Sequence, residues 1–414
     1  MAKILISPLG VGQFQNQNQR EYRKTCYRID EVGYPSSFVA SVLYQHLQLD
    51  GIIFIGTVKS MWEEVYRFFC EANNQPFDED YWFTLAETID SLNANSPIDA
   101  LNLDPLNQVL REHSTSILIH YGLNETEIWK NLEQIIQIKD FLNNGDEVYL
   151  DITHSFRSLA LFQFLTLTFI NDLLTERDIK IKGVYYGMLD VNREFGYTPI
   201  VDLGSLFEMM NWIKGAYSLK SYGDGELIAQ LLKAKGEDVL SDRVRWFSDA
   251  INLNYYPTIK QKTEHLRHSL ETDYSSTPFR YVQPTLTDFI KRFSHLSSDA
   301  QLQLELAGWY FENKRYATGY VTLTEAIITY VCECEGEDIR QEEGRKKALD
   351  IIHSPQERHR RLPQLYFQVN PIRNRIAHAS LSEVRGSGNF QTAINNAFGY
   401  YQEAKQIFRT NTLG

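Results

Sequence analysis

The run VYLDITHSFRSLA, residues 148–160, changes character at its middle. VYLDIT (148–153) is a short apolar run of strand type. LALFQFLTLTFINDLL (159–174) continues it with the apolar density of a buried helix, so a helix is expected over 155–174. The polar knot between them, Thr153, His154, Ser155 and Arg157, falls where a strand ends and a helix begins. Ser155 suits a helix cap, and the N–H groups of the first turn suit a phosphate or ribose oxygen. Arg157 adds a planar charged fork. A capped helix with a surface arginine reads the same residues equally well.

Four other apolar runs set this one in a pattern: KILIS (3–7), GIIFIGT (51–57), SILIHYG (116–122) and IKGVYYGML (181–189). VKSMWEEVYRFFC (58–70) and NETEIWKNLEQIIQIKDFL (124–142) follow two of them at helical spacing, the second with acids in its first turn. Apolar strands alternating with helices predict parallel pairing with both faces covered, a Rossmann-like doubly wound α/β domain. Ligands of such sheets bind beyond the C-terminal strand ends. The candidate ligand-binding residues are therefore Gly10, Val11, Gly12, Gln13, Gly56, Thr57, Lys59, Asn124, Thr153, His154, Ser155, Phe156 and Arg157. In LGVGQF (9–14), Gly10 and Gly12 permit positive φ and close ligand approach, though a plain tight turn needs them too. QNQNQREYRKTCYRI (15–29) reads as a flap over a polar ligand or as a solvated loop.

The 414 residues are 43% hydrophobic, enough for two or three cored domains. A formal net charge of −12 argues against coating long nucleic acid, so any such role needs a local pocket. Cys26, Cys70, Cys332 and Cys334 form no metal signature, and reduced cytoplasmic thiols are expected. MAKILISPLG is too short an apolar start for a signal peptide, and Gln163, Thr166, Thr168, Asn171 and Asp172 break the longest apolar stretch. A cytoplasmic protein without a membrane span is expected.

After about residue 205 helical periodicity takes over. The expected division is an α/β domain over 1–205, a helical connector over 206–295 and an all-α domain over 296–414. LQLELAGWYFENKRYATGYVTLTEAIITYVCE (302–333) is amphipathic with a break near Asn313–Thr318, and EGEDIRQEEGRKKAL (335–349) reads as a solvated loop. In NPIRNRIAHA (370–379), Asn370 suits a helix cap and Pro371 the first helical position. That places Arg373 at the positive end of a helix, with Asn374 and His378 four residues apart on one face. Between Glu357 and His378 lie Arg358, Arg360, Arg361, Arg373 and Arg375, a basic island in an acidic chain. Tyr366 and Phe367 within it suit stacking on bases. A helix start with an incidental Arg and His remains the plain alternative.

With the upstream YGLNETEIW (121–129), VYLDITHSFRSLA resembles the nucleotide-sensing CARF domain of CRISPR ancillary proteins. NPIRNRIAHA resembles the Arg-x4–6-His motif of HEPN ribonucleases. CARF first and HEPN last is similar to the CARF–HEPN ribonucleases of type III CRISPR systems. The resemblance covers most of the chain and least of the connector. One departure is Ala160, where a proline would be expected.

The resemblance implies a homodimer, or a larger assembly, that binds a cyclic oligoadenylate, with cyclic tetra-adenylate the usual activator. It implies an endoribonuclease for single-stranded RNA that needs no metal or other cofactor. Two Arg373/Asn374/His378 sets would form one composite site. The ribose 2′-OH would attack phosphorus and leave 2′,3′-cyclic phosphate and 5′-OH ends. The competing reading is a non-catalytic nucleotide sensor whose helical half binds a protein partner or DNA.

Overall fold

A computed structural model describes residues 1–16, 21–154, 162, 164–165, 168–170, 172, 178–274, 278–294, 296, 298–354, 360–378 and 390–410. The chain divides into two compact units, Met1–Phe207 and Glu208–Gly414.

The first unit carries the strands β1 (Lys3–Leu9), β2 (Phe14–Asn16), β3 (Glu21–Tyr22), β4 (Thr25–Ile29), β5 (Val32–Ser36), β6 (Gly51–Gly56), β7 (Thr115–Leu118), β8 (Glu147–Asp151), β9 (Lys180–Gly187) and β10 (Thr198–Asp202). Its helices include α1 (Val39–His46), α2 (Trp62–Ala72), α3 (Glu79–Ser91), α4 (Asp104–Val109), α5 (Glu125–Ile136) and α6 (Asn192–Phe195). Eight strands form one sheet in the order β5-β4-β10-β9-β8-β1-β6-β7. β1 pairs in parallel with β6 and β8, β6 with β7, and β8 with β9. The chain thus builds outward from β1 to β7, then returns to the other side of β1 at β8. That reversal is the switch point of a doubly wound sheet. This is the α/β fold expected from the five apolar runs.

Burial explains why those runs became the sheet's centre. All six residues of β6 are buried, and β1 is buried from Ile4 to Leu9. Leu5, Ile52 and Phe54 pack against Val42 and Leu43 of α1 and Trp62, Val65 and Phe69 of α2. Each such side chain contributes roughly 1.5–3 kcal/mol on leaving water. Within 15–29, read as a flap or a solvated loop, the described residues complete the antiparallel β2–β3 pair and form β4, which joins the main sheet beside β10. The helix expected over 155–174 falls largely outside the described residues.

The second unit is all helical among its described residues, continuing from α7 (Gly204–Tyr222), which begins at the close of the first unit. There follow α8 (Glu226–Ala234), α9 (Asp238–Asn252), α10 (Tyr256–Ser269), α11 (Gln283–Lys291), α12 (Asp299–Glu312), α13 (Tyr316–Glu335), α14 (Glu342–His353), α15 (Arg361–Ala377) and α16 (Phe390–Phe408). Two apolar cores lie in this unit, and α12 belongs to both. Leu302, Leu306, Trp309 and Tyr310 enter one core with α8–α11. Ala300, Leu304, Ala307 and Phe311 enter the other with α13–α16. The break between α12 and α13 falls at residues 313–315, where Lys314 takes φ 58°. No helix of the described residues is long and apolar enough to cross a membrane.

Two readings of this half are corrected. The stretch 335–349 is not all loop: α14 begins at Glu342, and Gly344, Ala348 and Ile352 bury one narrow stripe of it. Asn370 and Pro371 do not start a helix either. α15 starts at Arg361 and runs through Pro371 to Ala377. Proline inside a helix costs about 3 kcal/mol. Leu362, Leu365, Tyr366, Val369 and Ile372 bury a continuous stripe along it, and that burial outweighs the loss.

Candidate functional site

At the C-terminal ends of β1 and β8 a polar network, buried at Ser7 and Asp151 and half-buried at Thr153 and His154, ties four segments together. Asp151, the last residue of β8, is buried and accepts hydrogen bonds from the Ser7 hydroxyl (2.7 Å) and the Thr153 N–H (2.8 Å). Thr153 Oγ1 accepts from the Gly187 N–H at the end of β9 (2.7 Å). A Cβ on Gly187 would lie 2.7 Å from Val39 and 3.2 Å from Thr153, so the junction has no room for a side chain there. His154 Nε2 accepts from the Val39 N–H (3.2 Å). Val39 opens α1, whose N-cap residue Phe38 makes no side-chain cap bond. An imidazole from across the fold therefore takes the cap's place. Gly10 lies against it: a Cβ there would sit 3.5 Å from His154 Cβ.

Accepting at Nε2 requires the ring proton on Nδ1 and a neutral ring. Burial lowers the His154 pKa, against a smaller opposing pull from Asp151. Burial raises the Asp151 pKa, partly offset by His154 and by its hydrogen bonds to Thr153 and Ser7. Tyr27, buried nearby, is raised by desolvation and then by the Asp151 charge.

The other strand-end residues divide. Val11, Gly12 and Gln13 are exposed beyond β1. Gly12 has φ +73°, and a Cβ on it would lie 2.5 Å from the Tyr22 ring. Gly56 and Thr57 form a buried turn in which the Trp62 indole N–H donates to the Thr57 carbonyl (2.9 Å). A Cβ on Gly56 would meet that indole at 2.5 Å, so this glycine serves Trp62. Lys59 Nζ donates to the carbonyls of Ile89 (2.7 Å) and Asp90 (3.3 Å), at the end of α3. Asn124 caps α5 by accepting from the Glu127 N–H (3.0 Å), while Glu127 accepts from the Gly122 and Leu123 N–H groups. Those amide donors lower the Glu127 pKa, Leu123 first. Ser155, Phe156 and Arg157 lie outside the described residues.

In the second unit, Arg373, Asn374 and His378 gather at the C-terminal end of α15. His378 is the C-cap residue; its N–H donates to the Asn374 carbonyl (3.0 Å), and its side chain is exposed. The argument from a positive helix end is therefore corrected: carbonyls, not free N–H groups, face this motif. Arg373 Nη1 donates to Asn374 Oδ1 (3.0 Å), and its Nη2 lies 3.9 Å from Glu325 of α13. The other Glu325 oxygen pairs with Arg345 of α14. Arg373 Nε is buried without a hydrogen-bond partner. A guanidinium held this loosely keeps donor capacity for an anion. Among the described residues, no three His, Cys, Asp or Glu side chains group closely enough to hold a metal ion.

The family of the CRISPR system endoribonuclease Csx1 CARF domain matches residues 4–190, spanning β1 to the end of β9. The family of the second domain of CRISPR-associated protein MJ1674 matches 208–299. CRISPR-associated protein MJ1674 of Methanocaldococcus jannaschii is 34% identical over 405 residues, 92% of this chain. The chain is a CARF-containing ancillary protein of type III CRISPR systems. It spans 63% of the length of that curated relative. Among solved structures it is similar to Enterococcus italicus Csm6 bound to cyclic hexa-2′-fluoro-hexa-dAMP, with TM-score 0.39 and 13% identity, covering 100% of this chain and 95% of that one.

Within the CARF domain, Ser7, Val39, Asp151 and Gly187 stand outside the candidate residues read from the sequence. Asp151 is legible afterwards: an acid at the end of an otherwise apolar buried strand must find donors. Ser7 was equally visible as a hydroxyl inside an apolar run. Val39 was not, because it contributes only its backbone N–H.

Proposed function

We propose that this chain is a cyclic-oligoadenylate-activated endoribonuclease for single-stranded RNA, acting in CRISPR antiviral defence in the cytoplasm. Residues 1–205 sense the activator, 206–295 connect, and 296–414 cut. The observation that carries the proposal is the presence in one chain of a CARF domain and, at the end of α15, of Arg373, Asn374 and an exposed His378. The activator, cyclic tetra-adenylate in the first instance, binds at the β1/β8 crevice of a homodimer, against Gly10, Thr153 and His154.

Two copies of the motif form one RNA site. The His378 imidazole of one chain takes the proton of the ribose 2′-OH as its oxygen attacks phosphorus. The bond to the 5′-oxygen breaks, and the His378 of the second chain protonates that oxygen. Arg373 stabilises the charge gathered on the phosphoryl oxygens, its unpartnered Nε and loosely held Nη2 turning from Glu325 to the substrate. Asn374 keeps the guanidinium in register through its Oδ1. The products are a 2′,3′-cyclic phosphate and a 5′-OH, and no metal takes part.

Labelled single-stranded RNA incubated in EDTA, with and without cyclic tetra-adenylate, tests this. Activator-dependent cleavage is expected, with His378→Ala lowering kcat by about 10²–10⁴-fold. Full activity in that variant, or no cleavage with a cyclic oligoadenylate of any ring size, would overturn it. Activator-dependent binding of DNA or a protein without RNA cleavage would favour the sensor reading instead.

A further inference from the structure

The exposed face of α15 is an ordered row. At about 100° per residue, positions 367, 371, 374 and 378 fall within about 60° of one another around the helix. The buried stripe of Leu362, Leu365, Val369 and Ile372 occupies the opposite side. Phe367 is 48% exposed, Pro371 and His378 are exposed, and Asn374 is half-buried. A large apolar ring thus stands on the same face as Asn374 and His378.

Its ring is held, not loose. The His353 ring lies 5.5 Å away at 74°, and the Tyr366 ring 5.8 Å away at 77°, both edge-on. His353 is itself anchored through Nδ1 to the Leu349 carbonyl (2.7 Å). Tyr366, by contrast, is 5% exposed and closed to a base. Beside the ring is a second polar opportunity. Pro371 has no N–H, so the Phe367 carbonyl, four residues before it, receives no helical hydrogen bond from that position. An aromatic face, a carbonyl lacking its usual helical donor and an amide therefore line up on the way to His378. Arg360 and Arg361 stand at the far, positive end of the helix.

We propose that Phe367 is a substrate-positioning residue: it stacks a base of the RNA about three nucleotides from the scissile phosphate. This rests on the nuclease reading of Arg373 and His378. Eleven residues separate Phe367 from His378, about 16 Å along the helix axis. That distance is spanned by a few nucleotides of extended single strand. The Phe367 carbonyl accepts from a base amino group or ribose hydroxyl of the same nucleotide. Stacking on an aromatic tolerates any base, so Phe367 sets register rather than sequence.

The test uses the full chain and RNA carrying 2-aminopurine at successive positions on either side of the mapped cleavage site. Binding is read in the His378→Ala background, and turnover in the His378 chain. Stacking on Phe367 predicts fluorescence quenching at one position two to four nucleotides from the cut. Phe367→Ala should abolish that quenching and raise KM about tenfold with kcat little changed. Phe367→Trp should restore both, which a merely structural ring would not do. Unchanged KM and quenching in Phe367→Ala would overturn the inference while the nuclease reading stood. Quenching that Phe367→Ala abolishes, in a chain that binds RNA but never cuts it, would uphold the stacking and sink the nuclease reading. A chain that binds no RNA overturns both.

Discussion

His154 holds its hydrogen bond from Val39 only as a neutral ring, and that makes it a pH-sensitive joint of the CARF domain. Its affinity for protons is lowered on folding, chiefly by burial, from an ordinary 6.5. Its contribution to stability is therefore full above pH 6.5 and is lost as pH falls from there through the depressed folded value. Gln at this position offers an acceptor oxygen to Val39 without titrating. Thermal melts of wild type and His154→Gln should differ least on the neutral side and diverge below about pH 6, the wild type losing stability more steeply. Parallel melting curves across that range would show that His154 does not carry the effect. This residue was legible as a site candidate because it follows an apolar strand. Its role as the cap of α1 was not, because the bond spans 115 positions of sequence. Lys59 is the converse case: a cation at a strand end looked aimed at the crevice, yet the open carbonyls at the end of α3 hold it.

Elements were legible in proportion to their burial. β1 and β6 show as apolar runs because neighbours cover both their faces, and β8 shows through its buried Val148 and Leu150. β4, β5 and β10 escaped notice: TCYRI, VGYPS and TPIVD are partly exposed, and two contain proline. Pro35 is tolerated because β5 is the sheet's edge strand. α1 lacks a local cap signal, and α14 buries too narrow a stripe to stand out from its charges. Pro371 misled most, since proline commonly marks a helix start and here it sits inside one. Pro371→Ala restores an N–H aimed at the Phe367 carbonyl and should stabilise α15 by about 1–3 kcal/mol. For a unit of this size calorimetry should record a rise in Tm of roughly 2–4 °C per kcal/mol. A fall in Tm would mean that the surrounding packing has adapted to the proline.

The whole molecule divides into a CARF-bearing unit and a helical unit, and in the sequence strand-like runs give way to helical periodicity after about residue 205. What composition could not reveal is how the helical unit is held together. The stretch 206–295 reads in sequence as a helical connector. Yet α12, just beyond it, has Leu302, Leu306, Trp309 and Tyr310 in the core that α8–α11 complete. A chain cut to residues 296–414 would expose those four side chains to water, a loss of several kcal/mol. It should aggregate or give the broad, uncooperative melt of a partly ordered chain, whereas 208–414 should melt in one sharp transition. Circular dichroism of the two fragments decides between them, and a cooperative melt for 296–414 would contradict the shared role of α12. The same feature limits how such proteins are recombined. An effector half cannot be lifted from one chain and grafted onto another at the join after residue 295. A working exchange has to carry α12 together with the helices on both sides of it, so the portable cassette is the entire helical unit.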